Sequence, residues 1–541
     1  MGKHIILVHF CILSGTGSNV YCANLAQQWK RQGHSVTIFC QDPDGGSLEW
    51  VDEFYGPHDE LPADAPKGGI IRVITPDIAN LLPLLVYDEY KGYDVKIIPD
   101  FTQEELDRHI RMMATAIRKV IDMWGADKIL SNHAVLQPIN VKRALEGCTK
   151  KVPFDIKIHG SGIIFVLEKH PRFIPLAVEA INECNKVIAG SQHIVDQVLK
   201  TFPDLDLSDK LVIVPPGMNP DVFDLCTSIE SNTTAFLKAC EEHIKLEGNG
   251  RVVSNVKLPE KGAWNVDFHN ELVKLSETYN QRVVDADISA RFPKIAEDEP
   301  IITYFGKFLY TKGTAEILMA FPRLIAKHPK LRLILVGFGT YREHLELMLH
   351  CMVTGNKELF KAAGHCPDEE GHTFLETSID IDEHFMQITQ EQADRVLITG
   401  CLNHKELGLL LPMASISIVA SKANEAFGMV TVEALAAGVL PLCVYHSGIK
   451  DVLDKVKETQ PELEALMNIP VVPGGDLGTS NGANLLKVLP EKVFTALDYL
   501  YPPALSSAEK VEHHKNIAKK LREVAEKTWS WDSICTTLVE L

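Results

Sequence analysis

The sequence predicts an α/β protein made of two successive parallel-sheet domains. Three observations carry this. Short apolar runs alternate with amphipathic helical patterns, at the spacing of strand–helix–strand units. Several of those runs end in glycine turns, as in Ser14-Gly-Thr-Gly17, His159-Gly-Ser-Gly162 and Gly337-Phe-Gly339. Between Asn219 and Pro300 the alternation stops and charge runs, glycines and helical stretches take over. The expected division is therefore a first domain over 1–218, a linker or insertion over 219–299, and a second domain over 300–528, followed by the tail 529–541.

Composition agrees with a globular chain. Of 541 residues, 45% are hydrophobic and 23% charged, enough apolar material for two or three cores. A net charge of -18 argues against nucleic acid as a partner, because a phosphate polymer would be repelled on average. The twelve cysteines are scattered without a C-x-x-C pair, which suggests reduced, mostly buried thiols and a cytoplasmic location. His350-Cys351, His365-Cys366 and His372 fit no common zinc spacing, so no metal site is expected. The opening apolar run His4 to Phe10 is too short for a signal or membrane helix, and Ile6 breaks a myristoylation pattern.

That run reads instead as the first buried strand. The Gly15/Gly17 turn follows it, then a helix through Leu25, Ala26 and Trp29 to the stop at Gly33, and a second strand from Ser35 to Cys40. The turn could cradle a phosphate or sugar, or be a tight turn only, since a dinucleotide fingerprint would need a third glycine. From Asp42 to Pro99 the chain is rich in Pro, Gly and Asp, and reads as a long loop over the sheet edge that could shape an acceptor pocket. Glu104 to Trp124 is an amphipathic helix. Its Arg108, Arg111, Arg118 and Lys119 read as a solvated outer face, with peripheral contact to an anionic membrane as the alternative, which nothing else indicates.

Short strands are expected at Lys128–Ser131, Phe154–His159, Lys186–Ala189 and Leu211–Val214, with Ser191 capping a helix. His159 stands at a glycine-rich strand end, where ligands bind in open α/β sheets; a satisfied core histidine is the alternative. Within the insertion, Asn270 to Asp285 reads as helix-like. The second series begins with Ile301 to Gly306. Lys307 and Lys312 flank a short loop before a helix from Thr314 to Lys327, and further strands are expected at Arg332–Gly337, Val396–Thr399, Ile416–Ala420 and Val439–Cys443. Two cations on one loop can neutralise a pyrophosphate, or be two surface lysines. Glu425 falls in the loop after the run Ile416–Ala420. Glu433 falls about two turns into a helix read over Thr431–Ala437. Gly428 permits close approach to the backbone, and the helix start offers amide N–H groups to an anion.

Taken together, Gly306-Lys-Phe-Leu-Tyr-Thr-Lys-Gly313, Leu333-Ile-Leu-Val-Gly-Phe-Gly339, Gly400 and Glu425-Ala-Phe-Gly-Met-Val-Thr-Val-Glu433-Ala-Leu-Ala-Ala-Gly438 resemble the retaining nucleotide-sugar glycosyltransferases of family four (glycosyl transferases group 1). Gly15/Gly17, Gly33-His34, His159-Gly160, Ser191 and Pro215-Pro-Gly217 come in that family's order, and the likeness spans most of the chain outside about 42–100, 220–298 and 350–392. The resemblance implies a GT-B fold, two Rossmann-like domains facing across a cleft that closes over the donor. It implies an acceptor-side first domain, a donor-binding second domain, and a final helix crossing back onto the first. The alternative for the tail is that Trp529 and Trp531 pack the second domain's core.

The same resemblance implies the site. Glu433 would bind the ribose, Glu425 the donor sugar, and Lys307 and Lys312 the diphosphate. Gly306, Phe427, Gly428, Met429 and Val430 would line the donor, with backbone amides near Gly428–Val430 helping. Gly15 and Gly17 would approach the donor phosphates or the acceptor, and His159 would lie near the transferred sugar. Lys307 stands where the family often has arginine, keeping the charge but not the planar fork. Ser447-Gly448 replaces the family's Gly-Gly. The implied reaction is sugar transfer with retention from a nucleotide-diphosphate sugar, a co-substrate, to a sugar, lipid or small-molecule acceptor. No cofactor or metal is required, because fixed lysines and helix amides stabilise the departing diphosphate. A phosphorylase or epimerase on the same scaffold, and a non-catalytic nucleotide-sugar-binding subunit, are the competing readings.

Overall fold

A computed structural model describes residues 2–13, 17–86, 92–246, 283–365, 372–471 and 481–541. The chain forms two compact units, Met1–Gly217 with Trp529–Leu541, and Met218–Thr528.

The first unit contains an eight-stranded sheet. Its strands are β1 (His4–Val8), β2 (Ser35–Phe39), β3 (Glu53–Tyr55), β4 (Ile71–Ile74), β7 (Lys128–Asn132), β8 (Phe154–Lys157), β9 (Lys186–Ala189) and β10 (Leu211–Ile213), while β5 (Leu81–Leu84) and β6 (Asp94–Ile97) form a separate pair. The order is β10-β9-β8-β7-β1-β2-β4-β3, all parallel. Strands covered on both faces read as unbroken apolar runs, which is why β1, with Ile5 to Val8 fully buried, was legible. The segment expected to be a long loop after Asp42 is not one. It supplies β3 and β4, which extend the sheet beyond β2, and the pair β5–β6. Glu53–Tyr55 is too short to show a period, and Pro83 inside β5 argues locally against a strand.

Two helices show how sequence pattern becomes packing here. Gln103–Trp124 starts with a capping box, in which the Thr102 hydroxyl accepts from Glu105 N–H and the Glu105 carboxylate accepts from Thr102 N–H. It buries Leu106, Ile110, Met113, Ile117 and Ile121. Ser191 caps Gln192–Thr201 by accepting from Ile194 N–H. The terminal helix Trp531–Glu540 packs in the core of this same unit. Trp531, Ile534 and Leu538 join Leu25, Trp29 and Ile5, and Trp29 Nε1 donates to the Cys535 carbonyl at 3.2 Å. Gly217 makes room for it: a Cβ there would lie 2.4 Å from the Trp531 ring.

The second unit holds β11 (Ile301–Phe305), β12 (Arg332–Val336), β13 (Val396–Ile398), β14 (Ile416–Val419), β15 (Leu440–Val444) and β16 (Asn468–Ile469) in the order β13-β12-β11-β14-β15-β16. All pairs are parallel, and the order reverses between β11 and β14. Doubly wound sheets bind ligands at the carboxyl ends of their strands beside such a reversal.

Two expectations are corrected in this unit. The helix read over Thr431–Ala437 runs from Met429 to Ala436, because Gly428 takes φ 94° and lets the helix begin at once. Glu433 is therefore its fifth residue, just over one turn in rather than two. The helix read over Asn270–Asp285 falls mostly outside the described residues. Its described end is instead extended: Val284 bridges Gly400, and buried Asp285 accepts from Arg342 at 2.6 Å and Arg291 at 2.7 Å.

Among the described residues no helix is long and apolar enough to cross a membrane, and no cluster of His, Cys, Asp and Glu is disposed to hold a metal ion. None of the described cysteines is in a disulfide, and most of them are buried.

Candidate active site

The loops after β11 and β14 meet at the reversal point of the second sheet. Gly306 follows β11 at φ 151°, Tyr310–Lys312 make one short turn, and Gly313 at φ 69° turns the chain into the helix Thr314–Lys327. Only glycine fits at position 313, since a Cβ would lie 2.4 Å from the Ala420 carbonyl at the end of β14. That close approach carries Lys312 to the next loop, where its ammonium pairs with the Glu425 carboxylate.

Glu425 is held from several sides. Ser421 Oγ donates to its carboxylate at 2.6 Å, its own N–H donates to Ser447 Oγ at 2.9 Å, and its carbonyl accepts from Gly448 N–H at 2.9 Å. Ser447 adopts φ 46° and uses its hydroxyl as this anchor. His446 completes the shell, with Nδ1 at 2.9 Å from Ser447 Oγ and Nε2 donating to the Ser421 carbonyl at 2.7 Å. Burial, above all, holds the His446 ring below the usual imidazole range.

The other expected residues have distinct places. The Lys307 ammonium lies 5.9 Å from the Phe338 ring centre, and its carbonyl accepts from Tyr304 Oη at 2.8 Å. Phe427 is buried, tight against Gly448, where a Cβ would come within 2.5 Å of the Phe427 backbone. Gly428 caps the helix start. Met429 and Val430 form the first turn, whose amides have no partner one turn earlier within the helix. Glu433 stands apart from Glu425 in its partner, His404, whose Nε2 is 3.5 Å away; hydrogen bonding to Glu433 pushes the His404 pKa up.

In the first unit, His159 follows β8. Its Nε2 lies 2.7 Å from Asn132 Oδ1, an oxygen that only accepts, so Nε2 carries the proton and the Nδ1 lone pair is the acceptor. Its ring stands 4.8 Å from that of His133, and His133 stands 5.8 Å from His9. These three histidines follow β8, β7 and β1, at the reversal of the first sheet between β1 and β7. Burial, then His133, Lys157 and His9, hold the His159 pKa well below its ordinary value, so the ring is neutral. Gly17 opens the helix Gly17–Arg31 with open space where a Cβ would stand, while Gly15 lies outside the described residues.

Sequence reasoning missed His404, His446 and the anchoring role of Ser447. A histidine and a serine two and three residues after a buried parallel strand, as at His446-Ser447, were the available signal.

Comparison with known proteins matches this arrangement. The family described as Glycosyltransferase Family 4 matches residues 15–222, and that described as Glycosyl transferases group 1 matches 285–378 and 385–459. No curated protein sequence matches the chain. Among solved structures, the chain is similar to a glycosyltransferase from Rickettsia africae ESF-5 (TM-score 0.53, 16% identity, covering 100% of this chain and 97% of that one). It is similar to sucrose-phosphate synthase from Thermosynechococcus elongatus (TM-score 0.51, 14% identity, 99% and 98% covered). It is similar also to HepE of Anabaena in complex with UDP (TM-score 0.51, 13% identity, 99% and 98% covered). Two parallel α/β units, matched in turn by the two halves of one enzyme family, place the chain among the group 1 glycosyltransferases of family four: it is a glycosyltransferase of GT-B fold.

Proposed function

We propose that the enzyme transfers a sugar, with retention, from a nucleotide-diphosphate sugar to a sugar, lipid or small-molecule acceptor. The observation that carries this reading is the meeting of Lys312 and Glu425 at the carboxyl ends of β11 and β14. A cation for a diphosphate and a carboxylate for sugar hydroxyls thus stand side by side where such sheets bind ligands. HepE, similar in fold, is known with UDP bound.

In this reading the second unit binds the donor. Lys307 and Lys312 hold the diphosphate, with the amides of Met429 and Val430; Gly306, Phe427 and Gly428 shape the loops around it. Glu425 accepts hydrogen bonds from the donor sugar, and Glu433 from the ribose. As the sugar–phosphate bond breaks, negative charge builds on the leaving diphosphate. Fixed cations and amides stabilise that charge without having to reorganise. Glu425, tied to Lys312 and Ser421, serves binding rather than attack. The retaining course follows from the family resemblance and needs no carboxylate nucleophile. In the first unit, neutral His159 offers an acceptor nitrogen to a sugar hydroxyl, and the open space at Gly17 admits a phosphate or the acceptor. The described cysteines, which form no disulfide and are mostly buried, support a cytoplasmic location.

The test is a panel of UDP-, GDP- and ADP-sugars assayed for release of nucleoside diphosphate, with the anomeric configuration of the sugar product read by NMR. One donor class turned over with its anomeric configuration kept supports the reading. Inversion overturns retention, and release of inorganic phosphate or free epimer would favour the competing chemistries.

A further inference from the structure

Beneath the donor loops lies a buried charge cluster that the proposed reaction does not use. The Lys422 ammonium lies 2.6 Å from a Glu316 oxygen and 3.7 Å from Glu376, and the side chains of Lys422 and Glu316 are 2% and 0% exposed. Glu316 sits in the first turn of the helix Thr314–Lys327, three residues after Gly313. Glu376 accepts from the Gly482 N–H at 3.2 Å, at the start of the helix Asn481–Leu500. One oxygen of each carboxylate is buried without a hydrogen-bond partner.

The backbone of Lys422 makes a second connection. Its N–H donates to the Thr311 carbonyl at 2.6 Å, one residue before Lys312, while Ser421 on its other side binds Glu425. One residue therefore joins the Glu425 loop to the Lys312 loop twice, by its main chain to Thr311 and by its side chain to Glu316.

We propose that Lys422 is a positioning residue of the donor site, its buried ion pair with Glu316 setting the spacing between the loop that carries Lys312 and the loop that carries Glu425. The inference rests on the reading of those two residues as donor ligands. A buried ion pair is a poor source of stability, because desolvation offsets its attraction and a well-packed apolar side chain would do as well. What it supplies is direction: a charged pair fixes one geometry where an apolar contact tolerates several. Burial, opposed by Lys422 and reinforced by Glu316, raises the Glu376 carboxyl to about 7, so below that pH the cluster balances one cation against one anion.

The test removes the charges together. Assayed at about pH 6, where the Glu376 carboxyl is largely protonated, Lys422→Met with Glu316→Gln eliminates the pair without leaving a lone buried ion, and thermal unfolding checks the fold. Calorimetric titration then uses UDP-glucose, GDP-mannose and ADP-glucose, with UMP, GMP and AMP as controls that lack the diphosphate and the sugar. For the nucleotide sugar that the wild type binds, the double variant is expected to lose about tenfold or more in affinity, while the matching monophosphate changes by less than about twofold. Lys422→Arg, which keeps the cation, is expected to restore binding to within about threefold. Glu316→Asp keeps the charges but shortens the reach. It is expected to lose several-fold for the nucleotide sugar alone, and it decides the matter if the double variant does not fold.

Unchanged nucleotide-sugar affinity in a folded variant overturns the inference. So does a parallel loss for the monophosphate, which would mean general loosening. A wild type that binds none of the three nucleotide sugars overturns the functional reading, and the inference with it.

Discussion

The Lys312 ammonium and the Glu425 carboxylate form an ion pair across the ends of neighbouring strands, 113 residues apart in sequence. Both side chains keep a quarter or more of their surface exposed, so the pair contributes little to stability, on the order of 0–1 kcal/mol. Its weight is in placement: a ligand with a phosphate and a hydroxyl can take both partners at once.

The close approach that creates this pair gives the first prediction. Gly313→Ala would put a Cβ 2.4 Å from the Ala420 carbonyl and force φ 69° on a residue that disfavours it. Strain and displacement together are expected to destabilise the second unit by about 1–3 kcal/mol, read as a lower denaturant midpoint. An unchanged midpoint would mean that the two loops separate freely.

Glu433 and His404 give a second. If Glu433 accepts from ribose hydroxyls, Glu433→Gln should weaken nucleotide binding about tenfold by calorimetry, the loss of a charged acceptor. The pair also has a pH signature. Glu433 raises the His404 pKa, so the stabilisation is full below 6.5 and is lost as pH rises through the higher folded value. His404 is nearly half exposed, so the effect is small, under about 1 kcal/mol, and His404→Ala should remove it from a stability-versus-pH series.

The histidines of the first unit act in the opposite direction. Burial lowers the His9 pKa to about 4 and holds His133 well below its usual range. Their folded-state pKa values lie below the unfolded one, so their contribution is full above 6.5 and is lost as pH falls through the folded values. For His9 alone the loss amounts to about 3 kcal/mol between pH 6.5 and about 4. His9→Asn should flatten the acid limb of the stability profile, measured by circular dichroism at fixed denaturant. A limb of unchanged slope would show that His9 does not titrate with unfolding.

How much of this was legible depended on sequence distance. Ile301–Phe305 and Ile416–Val419 announce themselves as buried parallel strands, and Glu425 with Phe427-Gly428 marks the loop between strand and helix. Locally coded features such as the Thr102/Glu105 capping box and the Ser191 cap follow from neighbouring residues. The strands Glu53–Tyr55 and Leu81–Leu84 were hidden because edge position, brevity and Pro83 erase the pattern. The pairs Lys422–Glu316 and His404–Glu433 were hidden for another reason. Each lysine or histidine reads alone as an ordinary surface charge, and only the fold brings it to its carboxylate.

The most direct test of the account is the rate of nucleoside diphosphate formation by Lys312→Ala and Glu425→Ala, measured on the donor that the wild type turns over, with folding checked in parallel. Lys312→Ala is expected to fall about 100- to 1000-fold, as for loss of one preorganised charge-stabilising group, and Glu425→Ala comparably, both with the fold intact. Undiminished turnover in either folded variant would contradict the assignment of this loop pair as the donor site.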